Sequence, residues 1–234
     1  HNGDGRADLV GSWQESDGRR QIGTWLSDGV SLTTLHQPRS DVVTFDADFN
    51  GDGRRDLLEV SRRADGMAVA TPWLSTGSGF AAGRDAELGV WLADTPYRIS
   101  DLDGNGSSDL LEIRRQPNGN VVANTWLGGS TTLVAAATTN LGPLAANSHY
   151  TLGDTTADGR ADLLVQSPSS DGASRFTLWQ GDGRRFREQS TQEEARASTP
   201  DAQILPLDMN GDGSGDLVEV QRDYRHDVNL SDQS

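Results

Sequence analysis

The chain has 234 residues, 35 acidic against 20 basic, with a formal net charge of −15 at pH 7 and 34% hydrophobic residues. So acidic a surface argues against nucleic acid or an anionic membrane as partner. The absence of cysteine excludes a disulfide framework and thiol catalysis, and no apolar run reaches the length that spans a bilayer.

Taken from the N-terminus, the chain opens on an acidic, glycine-rich loop running from Asn2 to Asp8 and followed by Leu9. The same loop returns at Asp48 to Asp56, Asp101 to Asp109, Asp154 to Asp162 and Asp208 to Asp216, each time followed by a leucine. The closing aspartates stand 48, 53, 53 and 54 residues apart. A period of this length marks stacked supersecondary units, because one such unit cannot bury its own apolar face. Short β-rich runs precede the last four loops (Val42 to Phe45, Tyr97 to Ile99, Tyr150 to Leu152, Ile204 to Leu205), and others follow them, as in Leu57 to Val60 and Leu110 to Ile113. Trp25, Trp73, Trp126 and Trp179 each stand 17 residues after a closing aspartate. Midway to them lie the turn pairs Asp17-Gly18, Asp65-Gly66, Asn118-Gly119 and Asp171-Gly172, which between β-rich runs signal hairpins. A second turn follows the Trp, and a fourth strand begins near Phe80 or Phe186.

Each unit therefore reads as four short antiparallel strands, and four-stranded units at this period are the blades of a β-propeller. The expected fold is all-β, one partial propeller over 1–234 with repeats at about 1–41, 42–94, 95–147, 148–201 and 202–234. The first unit lacks strand one. The fifth lacks strand four and has Gln233 where its Trp would stand. Three complete and two partial blades imply a piece of a larger ring.

The loops offer oxygen at positions 1, 3, 5 and 9 from Asp or Asn, and at position 7 from the backbone carbonyl, a hard shell suited to Ca²⁺. The candidate ligands are Asn2, Asp4, Arg6 and Asp8 in the first loop, and Asp48, Asn50, Asp52, Arg54 and Asp56 in the second. The third offers Asp101, Asp103, Asn105, Ser107 and Asp109. The fourth has Asp154, Thr156, Asp158, Arg160 and Asp162, and the fifth Asp208, Asn210, Asp212, Ser214 and Asp216. Up to five ions are expected, one per loop. The first loop lacks position 1, and the fourth, with Thr156 at position 3 and Ala157 in place of glycine, is expected to be the weakest. The competing reading is that Asp-Gly turns cap hairpins through side-chain-to-backbone hydrogen bonds with no metal. Three loops also satisfy the EF-hand expression, with Glu59, Glu112 and Glu219 at position 12. Their β-rich flanks make those glutamates strand residues instead.

The loop pattern, in register with the Trp and the hairpin pair, resembles the FG-GAP/VCBS repeats, the family that includes the integrin alpha-subunit propeller. The resemblance covers nearly the whole chain. It implies that each Ca²⁺ pins the hairpin between the first two strands of a blade. It also implies an extracellular or cell-surface, bacterial protein that recognises a carbohydrate or protein partner by adhesion or lectin-like targeting. The alternative it implies is a scaffold within a secreted toxin or hydrolase, assembled with other domains or subunits. A catalytic role is not expected: the histidines fall at unrelated places in the repeat, and no zinc spacing, P-loop or nucleophile elbow is present. The segments 33–43, 86–96, 136–149 and 189–203 read as variable loops between blades, where recognition usually lives. Within one of them Trp91 breaks the repeat, either as an aromatic platform for a ligand or as a buried plug between blades. Asp41, Asp94, Asn147 and Asp201, in register seven residues before each loop, read as caps on strand one rather than a ligand-binding ring.

Overall fold

The computed structural model describes residues 3, 5, 6, 8–14, 16, 20–26, 29–35, 40–168, 174–194, 203–212 and 215–220. Asn2, Asp4, Ser214, the Asp17-Gly18 and Asp171-Gly172 pairs, Asp201 and Gln233 lie outside them. All the regular elements described are strands, and no helix among them is long and apolar enough to cross a membrane.

The strands form five antiparallel sheets in chain order. The first contains β1 (Leu9–Gln14), β2 (Arg20–Leu26) and β3 (Gly29–Leu35). The second contains β4 (Ser40–Ala47), β5 (Asp56–Arg62) and β6 (Met67–Ser75), with an outer strand in two pieces, β7 (Phe80–Ala82) and β8 (Ala86–Val90), both paired to β6. The third is β9 (Tyr97–Ser100), β10 (Asp109–Arg115), β11 (Asn120–Leu127) and β12 (Val134–Pro143). The fourth is β13 (His149–Gly153), β14 (Asp162–Pro168), β15 (Ser174–Gly181) and β16 (Phe186–Glu194). The last pairs β17 (Gln203–Leu207) with β18 (Asp216–Val220). Each four-stranded sheet is a blade of the β-propeller class.

One register repeats through the blades. The leucine after each closing aspartate lies opposite the Trp, as Leu9↔Trp25, Leu57↔Trp73, Leu110↔Trp126 and Leu163↔Trp179. The hairpin turns fix this register. In the second blade Gly66 N–H donates to Arg63 O, and Gly66 takes φ of 85°, so the connection is a three-residue turn that closes on a left-handed glycine. Gly119 repeats the device with φ of 86°.

Because side chains alternate along a strand, each blade presents two faces. Leu58, Val60, Ala68 and Ala70 of the second blade pack against Tyr97, Leu110 and the partly buried Ile99 and Trp126 of the third. The contact recurs one blade on, where Leu111, Ile113, Val121 and Ala123 meet Tyr150, Leu163, Val165 and the partly buried Trp179. Trp73, with Leu57 and Phe80, forms a separate cluster on the other face of the second blade. Trp126 and Trp179 thus belong to the packing between blades, where a large apolar side chain removes most area from water, whereas Trp25 is exposed.

Strand four runs further than the sequence indicates. Of the segments read as loops, 86–90 is β8, β12 continues to Pro143, β16 to Glu194, and 33–35 and 40–43 lie in β3 and β4. The connections are correspondingly shorter. The second blade's outer strand breaks at Gly83, where a Cβ would stand 2.2 Å from Thr131 O of the next blade. There the Arg84 N–H leaves its own sheet to donate to that carbonyl at 2.8 Å. Trp91 is half-buried against the core between the second and third blades, and its backbone N–H donates to Gly66 O at 3.0 Å. One side of Trp91 thus packs between blades, as the plug reading expects. Asp41 sits at a bulge in β4 with φ of 54°, paired to Arg62 at 3.6 Å, which places it inside strand one rather than ahead of it.

Candidate metal centres

The four loops from Asp48 onward share one hydrogen-bonded scaffold. The position 1 carboxylate gathers the N–H groups at the loop's turn. Asp48 accepts from Gly51 (2.7 Å), Asp52 (3.2 Å) and Gly53 (2.7 Å). Asp101 accepts from Gly104 (2.7 Å), Asn105 (3.1 Å) and Gly106 (2.8 Å). Asp154 accepts from Thr156, Asp158 and Gly159, and Asp208 from Gly211 and Asp212. Position 3 accepts from position 5, as in Asn50 from Asp52 (3.0 Å), Asp103 from Asn105 (3.2 Å) and Asn210 from Asp212 (2.8 Å). Position 5 accepts from position 7, as in Asp52 from Arg54 (2.9 Å), Asn105 from Ser107 (2.7 Å) and Asp158 from Arg160 (2.9 Å). These Asx-type bonds curl the chain around one point before any ion is considered.

The closing aspartate does what spacing alone could not reveal. Asp56, Asp109 and Asp162 are fully or almost fully buried. One oxygen of each accepts the N–H of position 2, seven residues back: Phe49 (3.0 Å), Leu102 (2.7 Å) and Thr155 (3.0 Å). The other accepts the N–H nineteen residues on, just past the Trp: Ser75 (2.7 Å), Gly128 (2.7 Å) and Gly181 (2.9 Å). This aspartate therefore ties the loop to the end of strand three. Burial pushes the Asp56 and Asp109 carboxyls up from 3.8 to about 6, although their backbone hydrogen bonds act the other way.

The third loop best tests whether the donor set fits a cation. Oxygens of Asp101, Asp103 and Asp109 all lie within 4.8 Å of one another. None of the ion pairs among the described residues involves these three carboxylates. Three acids facing one point without a basic partner, in an all-oxygen shell, fit a hard divalent ion. In the second and fourth loops the position 7 arginine turns back on position 5, Arg54 to Asp52 at 3.3 Å and Arg160 to Asp158 at 4.0 Å. In the fourth loop Ala157 holds φ of 58° where Gly51, Gly104 and Gly211 take 76°, 78° and 79°. Of the first-loop residues, Arg6 and Asp8 are described, with Gly3 close to the Arg54 side chain of the second loop.

The position-12 glutamates are strand residues. Glu112 in β10 is buried and bound to Arg114 Nη2 (2.6 Å) and Asn124 Nδ2 (2.8 Å), and Glu59 is buried in β5. The strand context rules out the helix pairs of an EF-hand in these loops. The Glu112 network was not anticipated. Its only sequence signal is the alternation of Glu112 and Arg114 on one face of a strand.

These observations define an all-β protein of the β-propeller class, built from antiparallel four-stranded blades with an acidic loop between strands one and two. Residues 154–219 match the family model of the FG-GAP-like repeat, the same family the loops resemble. No curated protein sequence matches the chain. Among solved structures, AofleA from Arthrobotrys oligospora is similar with a TM-score of 0.51 at 10% identity, over 82% of this chain and 54% of that one. A triple mutant of AofleA gives the same TM-score at 11% identity. The Photorhabdus luminescens Tc holotoxin pore aligns over 93% of this chain and 13% of that one, with a TM-score of 0.45 and 19% identity. The SapL1 lectin in complex with alpha methyl fucoside aligns over 84% and 64%, with a TM-score of 0.45 and 13% identity. The chain thus spans about half the length of AofleA, and at such identities the likeness is one of fold.

Proposed function

We propose that this chain is a calcium-stapled β-propeller module, extracellular or at the cell surface, that holds a carbohydrate or protein partner without transforming it. The observation that carries the cation reading is the convergence of Asp101, Asp103 and Asp109 within 4.8 Å, with none of the three in an ion pair among the described residues. It is supported by the same backbone scaffold in the second, fourth and fifth loops. A bound Ca²⁺ would neutralise the carboxylates and fasten strand one to strand two. The protein's own part is to aim those oxygens, through the Asx bonds and through the closing aspartate tied to strand three. Loops with glycine at position 4 and no arginine on position 5 fill first on this reading, and millimolar extracellular calcium keeps modest sites occupied.

The partner class rests on the repeat's resemblance to the FG-GAP/VCBS family. Titrating chelator-treated protein with Ca²⁺ while following heat release and thermal unfolding tests the first half. Binding with a rise in Tm is expected, and an unchanged Tm at millimolar calcium would overturn it. A glycan and cell-wall array tests the second half. A blank array with calcium loaded would favour a scaffold role in a secreted toxin or hydrolase.

A further inference from the structure

The loops are joined to one another by a repeated hydrogen bond that does not belong to any sheet. The backbone carbonyl of position 1 accepts the N–H of position 8 in the next loop. Ser108 donates to Asp48 O (2.6 Å), Ala161 to Asp101 O (3.1 Å) and Gly215 to Asp154 O (2.8 Å). Position 1 carries the carboxylate around which its own loop curls, and position 8 immediately precedes the closing aspartate of the neighbour. A second tie runs in parallel between the second and third loops. Gly129 N–H donates to Phe49 O at 2.8 Å, beside the Gly128 N–H that holds Asp109. Phe49 is buried to 1% exposure, and its own N–H is held by Asp56. The peptide between Asp48 and Phe49 thus belongs to the scaffold of one loop and to the anchorage of the next.

The loops also lie in close contact with one another. A Cβ on Gly51 would come 2.8 Å from Ser107 Oγ, and one on Gly104 would come 3.1 Å from Gly159 O, in both cases an atom of the following loop.

We propose that cation binding in adjacent loops is positively coupled through this carbonyl-to-amide relay. This rests on the calcium reading above. An empty loop, with its acids in mutual repulsion, opens more readily and withdraws the position 1 carbonyl from its neighbour. The neighbour's position 8 amide then loses its acceptor, and Asp109, Asp162 or Asp216 is less firmly placed. A filled loop fixes both. Linkage makes the effect reciprocal, and one hydrogen bond per junction sets its scale at roughly two- to tenfold in affinity. Coupling then falls with distance along the arc, so the second loop senses the third more strongly than the fourth.

The test is hydrogen exchange read by mass spectrometry against calcium concentration, in the full chain. It compares the protein with an Asn50→Ala/Asp52→Ala variant, which removes two side-chain donors from the second loop and leaves the Asp48 carbonyl in place. In the variant the calcium midpoint for protection of 101–109 is expected to rise two- to tenfold, and that of 154–162 less. Unchanged exchange in 163–168 reports that the fourth blade remains folded. An unmoved midpoint for 101–109, with protection of 48–56 lost, overturns the coupling while leaving the calcium sites standing. No calcium-dependent protection in any loop of the unmodified protein overturns the coupling together with the reading it rests on.

Discussion

The fourth loop carries a fault that can be repaired. Position 4 of these loops lies in the left-handed region, at φ of 76°, 78° and 79° for Gly51, Gly104 and Gly211, but Ala157 is held there at 58°. An L side chain in that region costs roughly 1–2 kcal/mol, whereas glycine costs the folded state nothing there and loses about 0.5–1 kcal/mol more backbone entropy on folding. Ala157→Gly should therefore stabilise by roughly 1 kcal/mol, a rise in Tm of about 2–4 °C for a chain of this length. The converse change is harsher. Gly104→Ala meets the same backbone penalty and also places its Cβ 3.1 Å from Gly159 O, a backbone atom of the next loop. Relieving that contact strains the Ala161 to Asp101 hydrogen bond, which brings the loss to about 2 kcal/mol. Differential scanning calorimetry in chelator isolates both effects from metal binding. If Ala157→Gly fails to raise Tm, or Gly104→Ala leaves it unchanged, the backbone argument is wrong.

Stability in chelator should fall as pH rises from about 4 to about 6, because folded Asp56 and Asp109 still bind protons that the unfolded chain, titrating near 3.8, has released. Linkage sets the loss at no more than roughly 3 kcal/mol per group. With calcium the trend should reverse, since the ion takes the deprotonated carboxylates, and a Tm rising with pH in chelator would contradict the sign. Asp109→Ala should cost about 2–5 kcal/mol in urea denaturation even without cation, by stranding the N–H groups of Leu102 and Gly128; a cost under about 1 kcal/mol would show that neither bond matters. Arg114→Ala should cost about 3–5 kcal/mol by leaving the fully buried Glu112 without its 2.6 Å partner, and Glu112→Gln in the same background should recover part of it. A double-mutant cycle checks both.

The fold was legible because its signals are local and repeated. An apolar run, an acidic loop, a turn pair and a Trp recurring at intervals of about 48 to 54 residues fix strand number, hairpin direction and period. The register follows once the turn is known, which is why Leu57 and Trp73 are cross-strand partners. The curl of the loop was equally legible, since the spacing of Asp, Asn and Gly sets the side-chain-to-backbone bonds that bend the chain. Strand ends were less so. Nothing in Ala86 to Val90 or Val134 to Pro143 announces that strand four continues, because outer strands are held by pairing to strand three rather than by apolar alternation.

What the amino-acid order determined, then, is the unit: four strands, one acidic loop, and the oxygens that loop can offer. Only the tertiary structure decided how units speak to one another. The burial of Asp109, its grip on an amide nineteen residues away, the Glu112 network and the carbonyl of Asp48 reaching Ser108 all arise where two strands or two blades meet. Such contacts depend on backbone groups, which every residue carries alike, and on desolvation, which no residue possesses until its neighbours are in place.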